Sequence, residues 1–279
     1  MKNKLIRKQA IQIYKQNIAP MLLVASIGLV PTVLSVMFDG TRTLSWLYCA
    51  KFGFWIVTYP LLLGQASYFL SSVKGEKTPV WGIFKYYLNF KLLSKALLVS
   101  VVFRIVVLIF DSINKLLPIV LKDHPIGLII SLVVAIVSFY VVTLRFFLVP
   151  YIFIRNTGKN PLFIFSMGHR KMRGYVINLL LLMISVEWIP YLITFLFAAL
   201  MYFCGVITRP LESHLWLKML NTLFIIPFAP YISLCNAGFA VEMLRAKQKL
   251  RLNRAHYVGR KYHYKVEWEE FENEEFFDN

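Results

Sequence analysis

Two opposite charges lie deep inside apolar runs of this 279-residue chain: Arg104 in VVFRIVVLIF and Glu187 in LLMISVEWIP. An ionised side chain in hydrocarbon is costly, and one retained there marks either a salt bridge or a polar site. Each stands 12 residues from the basic end of its run, a depth of roughly 18 Å along a helix. Equal depth permits an ion pair that fixes helix packing, or a polar site facing a central cavity. Arg145, in VVTLRFFLVP, is closer to the basic end of its run and can snorkel to the interface, or compete for Glu187 if the helices are staggered. Gln65 and Asn236 sit seven or eight residues from the basic ends of two further runs. An interhelical amide hydrogen bond between them is worth about 1 kcal/mol as packing glue, and the same pair could face a substrate.

The remaining chemistry is cationic. His169, Arg170 and Lys171, with Arg173 two residues on, form one cluster, and Lys85 and Lys91 lie in a similar basic stretch. Solvated contact with anionic lipid head groups explains such clusters, with phosphate recognition as the sharper alternative. The five histidines (His124, His169, His214, His256, His263) adjoin no nucleophile, and HExxH, GxSxG and a Gly-rich phosphate loop are all missing. Cys49, Cys204 and Cys235 have no CxxC or Cys/His spacing. The expectation is therefore no catalytic residue, no metal site and no cofactor.

These residues need a scaffold, and composition names it. Hydrophobic residues make up 58% of the chain and charged residues 16%, against about 25% charged in a typical globular chain. The apolar residues are blocked into runs Ile18–Phe38, Trp46–Ser72, Leu92–Phe110, Ile126–Ile154, Tyr175–Phe203 and Leu215–Leu244. Each meets or approaches the ~20 residues that cross a bilayer. Prolines at 20, 31, 60, 150, 190, 227 and 230 lie in or at the ends of the runs, where neighbouring helices satisfy the freed carbonyls. The net charge of +17 belongs to the segments between runs. No basic patch with base-stacking aromatics stands apart from them, so no nucleic-acid partner is expected.

Orientation follows from the lysines and arginines. The N-terminal segment, the connections 73–95 and 155–174 and the tail after 244 hold 23 of them, and the other three connections hold 4. The positive-inside rule then puts both termini in the cytoplasm of a multi-pass cell-membrane protein. Residues 1–17, MKNKLIRKQAIQIYKQN, with Leu5, Ile6, Ile13 and Tyr14 as a partly apolar face, read as a basic interfacial helix. Residues 18–244 form the six-span domain. Residues 245–279 form a cytoplasmic tail, basic at first, then acidic-aromatic over Glu267–Asn279, which cannot bury a core and is expected to be partly disordered, folding back onto the basic stretch or docking a protein partner.

The two long basic connections look alike. VKGEKTPVWGIFKYYLNFKLLSKALL and NTGKNPLFIFSMGHRKMRGYVINLL each run from Gly and Lys to a proline, Pro79 or Pro161, and then to an aromatic-basic stretch. Thr78 and Asn160 are placed as N-caps before a proline at the first helical position. Both stretches are expected as short helices on the inner leaflet, with Trp81, Phe84 and Tyr87, or Phe163 and Phe165, dipping toward acyl chains. TYPLLLGQASYFL (58–70) and APYISLCNAGFAV (229–241) also share a shape, which suggests an internal duplication.

Three segments carry a family resemblance: 64–90, 145–180 and 225–244, with Pro161, Ser166, Met172 and Gly174 as its most specific positions. Together they resemble a Firmicute family of integral membrane proteins catalogued as domain of unknown function nine hundred and seventy-five, itself distantly similar to the membrane domain of some glycerophosphodiester phosphodiesterases. The resemblance implies a six-helix bacterial membrane protein and brings no catalytic residues. The reading is thus an all-α polytopic bundle with short cytoplasmic interfacial helices. It acts as a non-enzymatic, permease-like or accessory component that binds anionic lipid or a partner complex. A secondary transporter with a site between the third and fifth spans, and a membrane enzyme acting on phospholipid head groups at Arg170, are the alternatives.

Overall fold

A computed structural model describes residues 3–39, 45–120, 130, 133–134, 136–138, 140–203 and 221–258. Among them there is no strand, and the protein is all-α. The helices are α1 (Asn3–Gln16), α2 (Ile18–Asp39), α3 (Ser45–Lys74), a 3-10 turn (Val80–Phe84), α4 (Lys85–Leu88), α5 (Phe90–Val120), a π turn (Tyr140–Arg145), α6 (Val149–Arg155), α7 (Pro161–Met172), α8 (Val176–Phe203) and α9 (Ala229–Val258). By contact the chain divides into Met1–Val241 and Glu242–Asn279. In the second unit α9 continues to Val258, and the acidic-aromatic stretch 267–279 lies outside the described residues.

Among the described residues, three helices are long and apolar enough to cross a membrane: Phe90–Ile109, Ile136–Arg155 and Val176–Met201. A fourth is added if Asn3–Gln16 and Ile18–Leu34, which meet at 105°, count as one broken crossing. The other two runs, Trp46–Ser72 and Leu215–Leu244, do not qualify within the described residues. In α3 the stretch Thr58, Tyr59, Pro60, Gly64, Gln65, Ser67 and Tyr68 dilutes the apolar run. Much of the apolar part of Leu215–Leu244 precedes the described start of α9.

Local chemistry sets where these helices stop. Helix α3 ends in a Schellman motif: Gly75 takes φ 84, Glu76 N–H donates to Ser71 O at 3.0 Å and Gly75 N–H to Ser72 O at 3.1 Å. Asn160 caps α7 as expected, its side chain accepting from Leu162 N–H at 3.0 Å with Pro161 in the first turn. Thr78 does not cap: the 3-10 turn starts after Pro79 with no side-chain cap. The cap of α5 is instead Asn89, whose Oδ1 accepts from Lys91 N–H at 3.0 Å and Leu92 N–H at 3.3 Å. The crossing Ile136–Arg155 is broken by Pro150, which has no N–H to give the Phe146 carbonyl. Val149 N–H takes that carbonyl at 2.9 Å, and the chain enters the break through the π turn.

The core of the described residues gathers where α3 ends and α5 starts. Its residues come from the starts of α2 (Met21, Val24, Ala25), α5 (Ala96, Val99) and α8 (Leu179, Leu182, Val186) and from the end of α3 (Leu63, Phe69, Leu70). The antiparallel run of α3 and α5 is fixed by Tyr59 stacked on Phe103 at 6.2 Å and Arg104 over Trp55 at 4.3 Å. This is where both long connections lie, and they supply the filling: Ile83, Tyr86, Ile164, Phe165 and Met172 are buried.

Candidate functional site

Both connections fold back along the helix that precedes them. The carbonyl of Ile83 lies against Gly64, where a Cβ would overlap it. That contact is ten residues before the end of α3, about 15 Å of helical rise. Lys85 Nζ then donates to Ser67 Oγ at 2.5 Å, and Tyr87 Oη donates to Val57 O at 2.7 Å. In the second connection, Gly168 lets α7 lie on α6, since a Cβ there would stand 2.9 Å from Val149 Cγ2. Phe165 packs on Phe146 at 5.4 Å and on Phe103 of α5 at 6.3 Å. Two further contacts tie the first connection to α6 and to the start of the second connection. The Tyr86 and Phe153 rings are 5.9 Å apart, and Lys95 Nζ donates to Thr157 O at 2.9 Å and Gly158 O at 3.5 Å.

This geometry corrects the expectation that the two stretches simply rest on a leaflet. Ser67 is the hydroxyl that Lys85 reaches, so Lys85 is tied to α3 while the residue stays exposed. Phe165 is buried between helices instead of dipping outward. Trp81, 76% exposed, keeps the outward position expected of it.

Desolvation where it meets Ser67 lowers the Lys85 pKa below the ordinary lysine value, and the Glu76 carboxylate pulls the other way. Since the unfolded chain then binds more protons in the interval between the two values, stability rises as pH climbs through it. Lys85→Gln keeps a donor for Ser67 and should abolish that rise. Melting series of both proteins between about pH 8 and about pH 10 measure it, and parallel curves would refute the assignment.

Helix α1 docks by one face. Ile6 and Ala10 are buried while Leu5 is 51% exposed, so the apolar face expected from the sequence is split. The reason is contacts far along the chain. Asn3 Nδ2 donates to Asn178 O at 3.0 Å, Tyr14 Oη donates to Pro227 O at 3.0 Å, and Ile6 lies beside Gly238. Lys4, Lys8 and Lys15 stay exposed at helical spacing.

The intramembrane polar residues separate. Arg104 sets its guanidinium over Trp55, and Glu187 is half-buried on α8 and makes no ion pair among the described residues. Gln65 directs its amide at Gly28 of α2, where it occupies the place of a Cβ, and no hydrogen bond joins it to Asn236 among the described residues. Arg145 is half-buried at the end of the π turn. Its guanidinium faces the Tyr140 ring at 5.4 Å, and Nε and Nη1 are buried without a hydrogen-bond partner.

No protein-family model, curated protein or solved structure matches this chain. Its chemistry is therefore read from geometry. His169, Arg170 and Arg173 are exposed at the end of α7, Lys171 is half-buried, and Lys91 is exposed at the start of α5. His169 touches the Phe146 ring at 6.3 Å, which sets this rim beside Arg145. Gly174, at φ 89, turns the chain directly into α8. On α8 an exposed apolar stripe begins at Ile177 (73%) and continues through Leu181, Ile184 and Trp188 to Phe195 (69%). No group of three or more metal-ligating side chains occurs among the described residues. Sequence reasoning missed Ser67, Tyr86, Lys95 and Tyr140, whose partners depend on the fold-back or on the π turn.

Proposed function

We propose that this protein is a six-span cell-membrane protein, with both termini cytoplasmic, that binds anionic amphiphiles as a permease-like or accessory component rather than as an enzyme. One observation carries the reading: exposed Arg170 and Arg173 stand at the head of the exposed apolar stripe on α8. Cations directly above apolar surface match a phosphate head group above its acyl chains. The alternation of basic and poor connections supports the six spans and their orientation, and the family resemblance agrees with both. The 267–279 tail is a second surface, for a protein partner.

The test is lipid selectivity. In native mass spectrometry the purified protein should retain phosphatidylglycerol over phosphatidylcholine, and Arg170→Gln with Arg173→Gln should weaken that preference by about thirtyfold, at about 1 kcal/mol per cation. Equal retention of the two lipids by the wild type would sink the reading.

A further inference from the structure

We propose that Arg145 is a half-buried receptor for one phosphate oxyanion, carried either by an anionic amphiphile or by free phosphate. The proposal rests on the anionic-amphiphile reading above and adds a second, interior contact to it.

Arg145 ends the π turn near the middle of the crossing Ile136–Arg155. Two of its guanidinium nitrogens, Nε and Nη1, are sealed from solvent and have no acceptor, while the Tyr140 ring covers the group at 5.4 Å. A buried polar group without a partner bears its whole desolvation penalty, and a buried charge bears more. Arginine cannot escape by losing its proton. The Tyr140 ring offsets part of that cost; an anion at the two orphaned nitrogens would offset more, and the planar guanidinium fork suits phosphate best.

The surroundings point the same way. π turns are rare and concentrate at functional sites, and this one packs against both α7 and α8. The next residue, Phe146, touches Phe165 and His169 of α7, so Arg145 adjoins the helix end that presents Arg170 and Arg173. An oxyanion first held by that exposed pair has a second cation directly inward of it.

The full-length protein, delipidated in neutral detergent, is titrated with phosphatidylglycerol, phosphatidylcholine and inorganic phosphate, with thermal unfolding as the readout. Phosphatidylglycerol should stabilise the wild type, and Arg145→Gln should weaken its apparent affinity by about tenfold. Stabilisation by inorganic phosphate that depends on Arg145 identifies a free anion, and stabilisation by phosphatidylglycerol alone identifies a lipid. If Arg145→Gln binds like wild type while the Arg170→Gln, Arg173→Gln protein does not, the interior receptor is refuted and the surface reading stands. If neither variant alters binding, both fail. Should Arg145→Gln not fold, Arg145→Lys decides: a point charge in place of the planar fork should bind more weakly, and unchanged affinity would overturn the proposal.

Discussion

Replacing Gly64 with alanine should cost the protein about 3 kcal/mol, the upper range for forcing extra atoms into a packed interior. The added Cβ overlaps the backbone carbonyl of Ile83, not the flexible tip of a side chain. Relief therefore requires the whole first connection to move off α3. That motion strains the buried seats of Ile83 and Tyr86 and the hydrogen bonds from Lys85 to Ser67 and from Tyr87 to Val57 O. Gly53, on the same helix, is the control, because a Cβ there meets nothing within 4 Å. Gly53→Ala should be neutral or stabilising by roughly 0.5–1 kcal/mol, the ordinary gain of alanine in a helix interior. Thermal unfolding of both variants, with limited proteolysis in 75–89, separates the cases. Equal effects at the two positions would show that close approach at Gly64 is not what holds the connection.

The Tyr86–Phe153 contact is the second critical point. Phe153 is fully buried and Tyr86 almost so, with their rings 5.9 Å apart, Tyr86 in the first connection and Phe153 on α6 just before the second. Truncating either to alanine should cost about 3–5 kcal/mol, the range for removing a buried aromatic ring. A double-mutant cycle should show coupling of about 0.5–1.5 kcal/mol, the part due to ring contact itself. Additive single effects would mean that the first connection and α6 do not share one packed layer. Because Lys95 also bridges to the carbonyls of Thr157 and Gly158, some coupling should survive any single aromatic loss.

Which parts of this architecture were legible depended on how far along the chain their causes lie. The Asn160 cap needs only the next two residues, and it forms as read. Asn89 acts over three residues and was legible in principle, but the apolar run beginning at Leu92 drew the boundary past it. Lys85 read as a surface cation because nothing near it in the chain suggests Ser67, 18 residues earlier. Likewise α1 is amphipathic by its own spacing, yet the choice between Ile6 and Leu5 for the buried side is made by Asn178, Pro227 and Gly238.

The helical class, the apolar runs and the unequal distribution of basic residues are properties of a one-dimensional string, since a bilayer selects for run length and its charged face selects for where cations fall. They could be read without knowing any contact. The direction in which Arg145 turns, the seating of both connections along their own helices and the meeting of Tyr86 with Phe153 could not. These depend on the missing N–H of Pro150 and on close approaches permitted at Gly64 and Gly168. They become specific only once helices distant in the chain lie side by side.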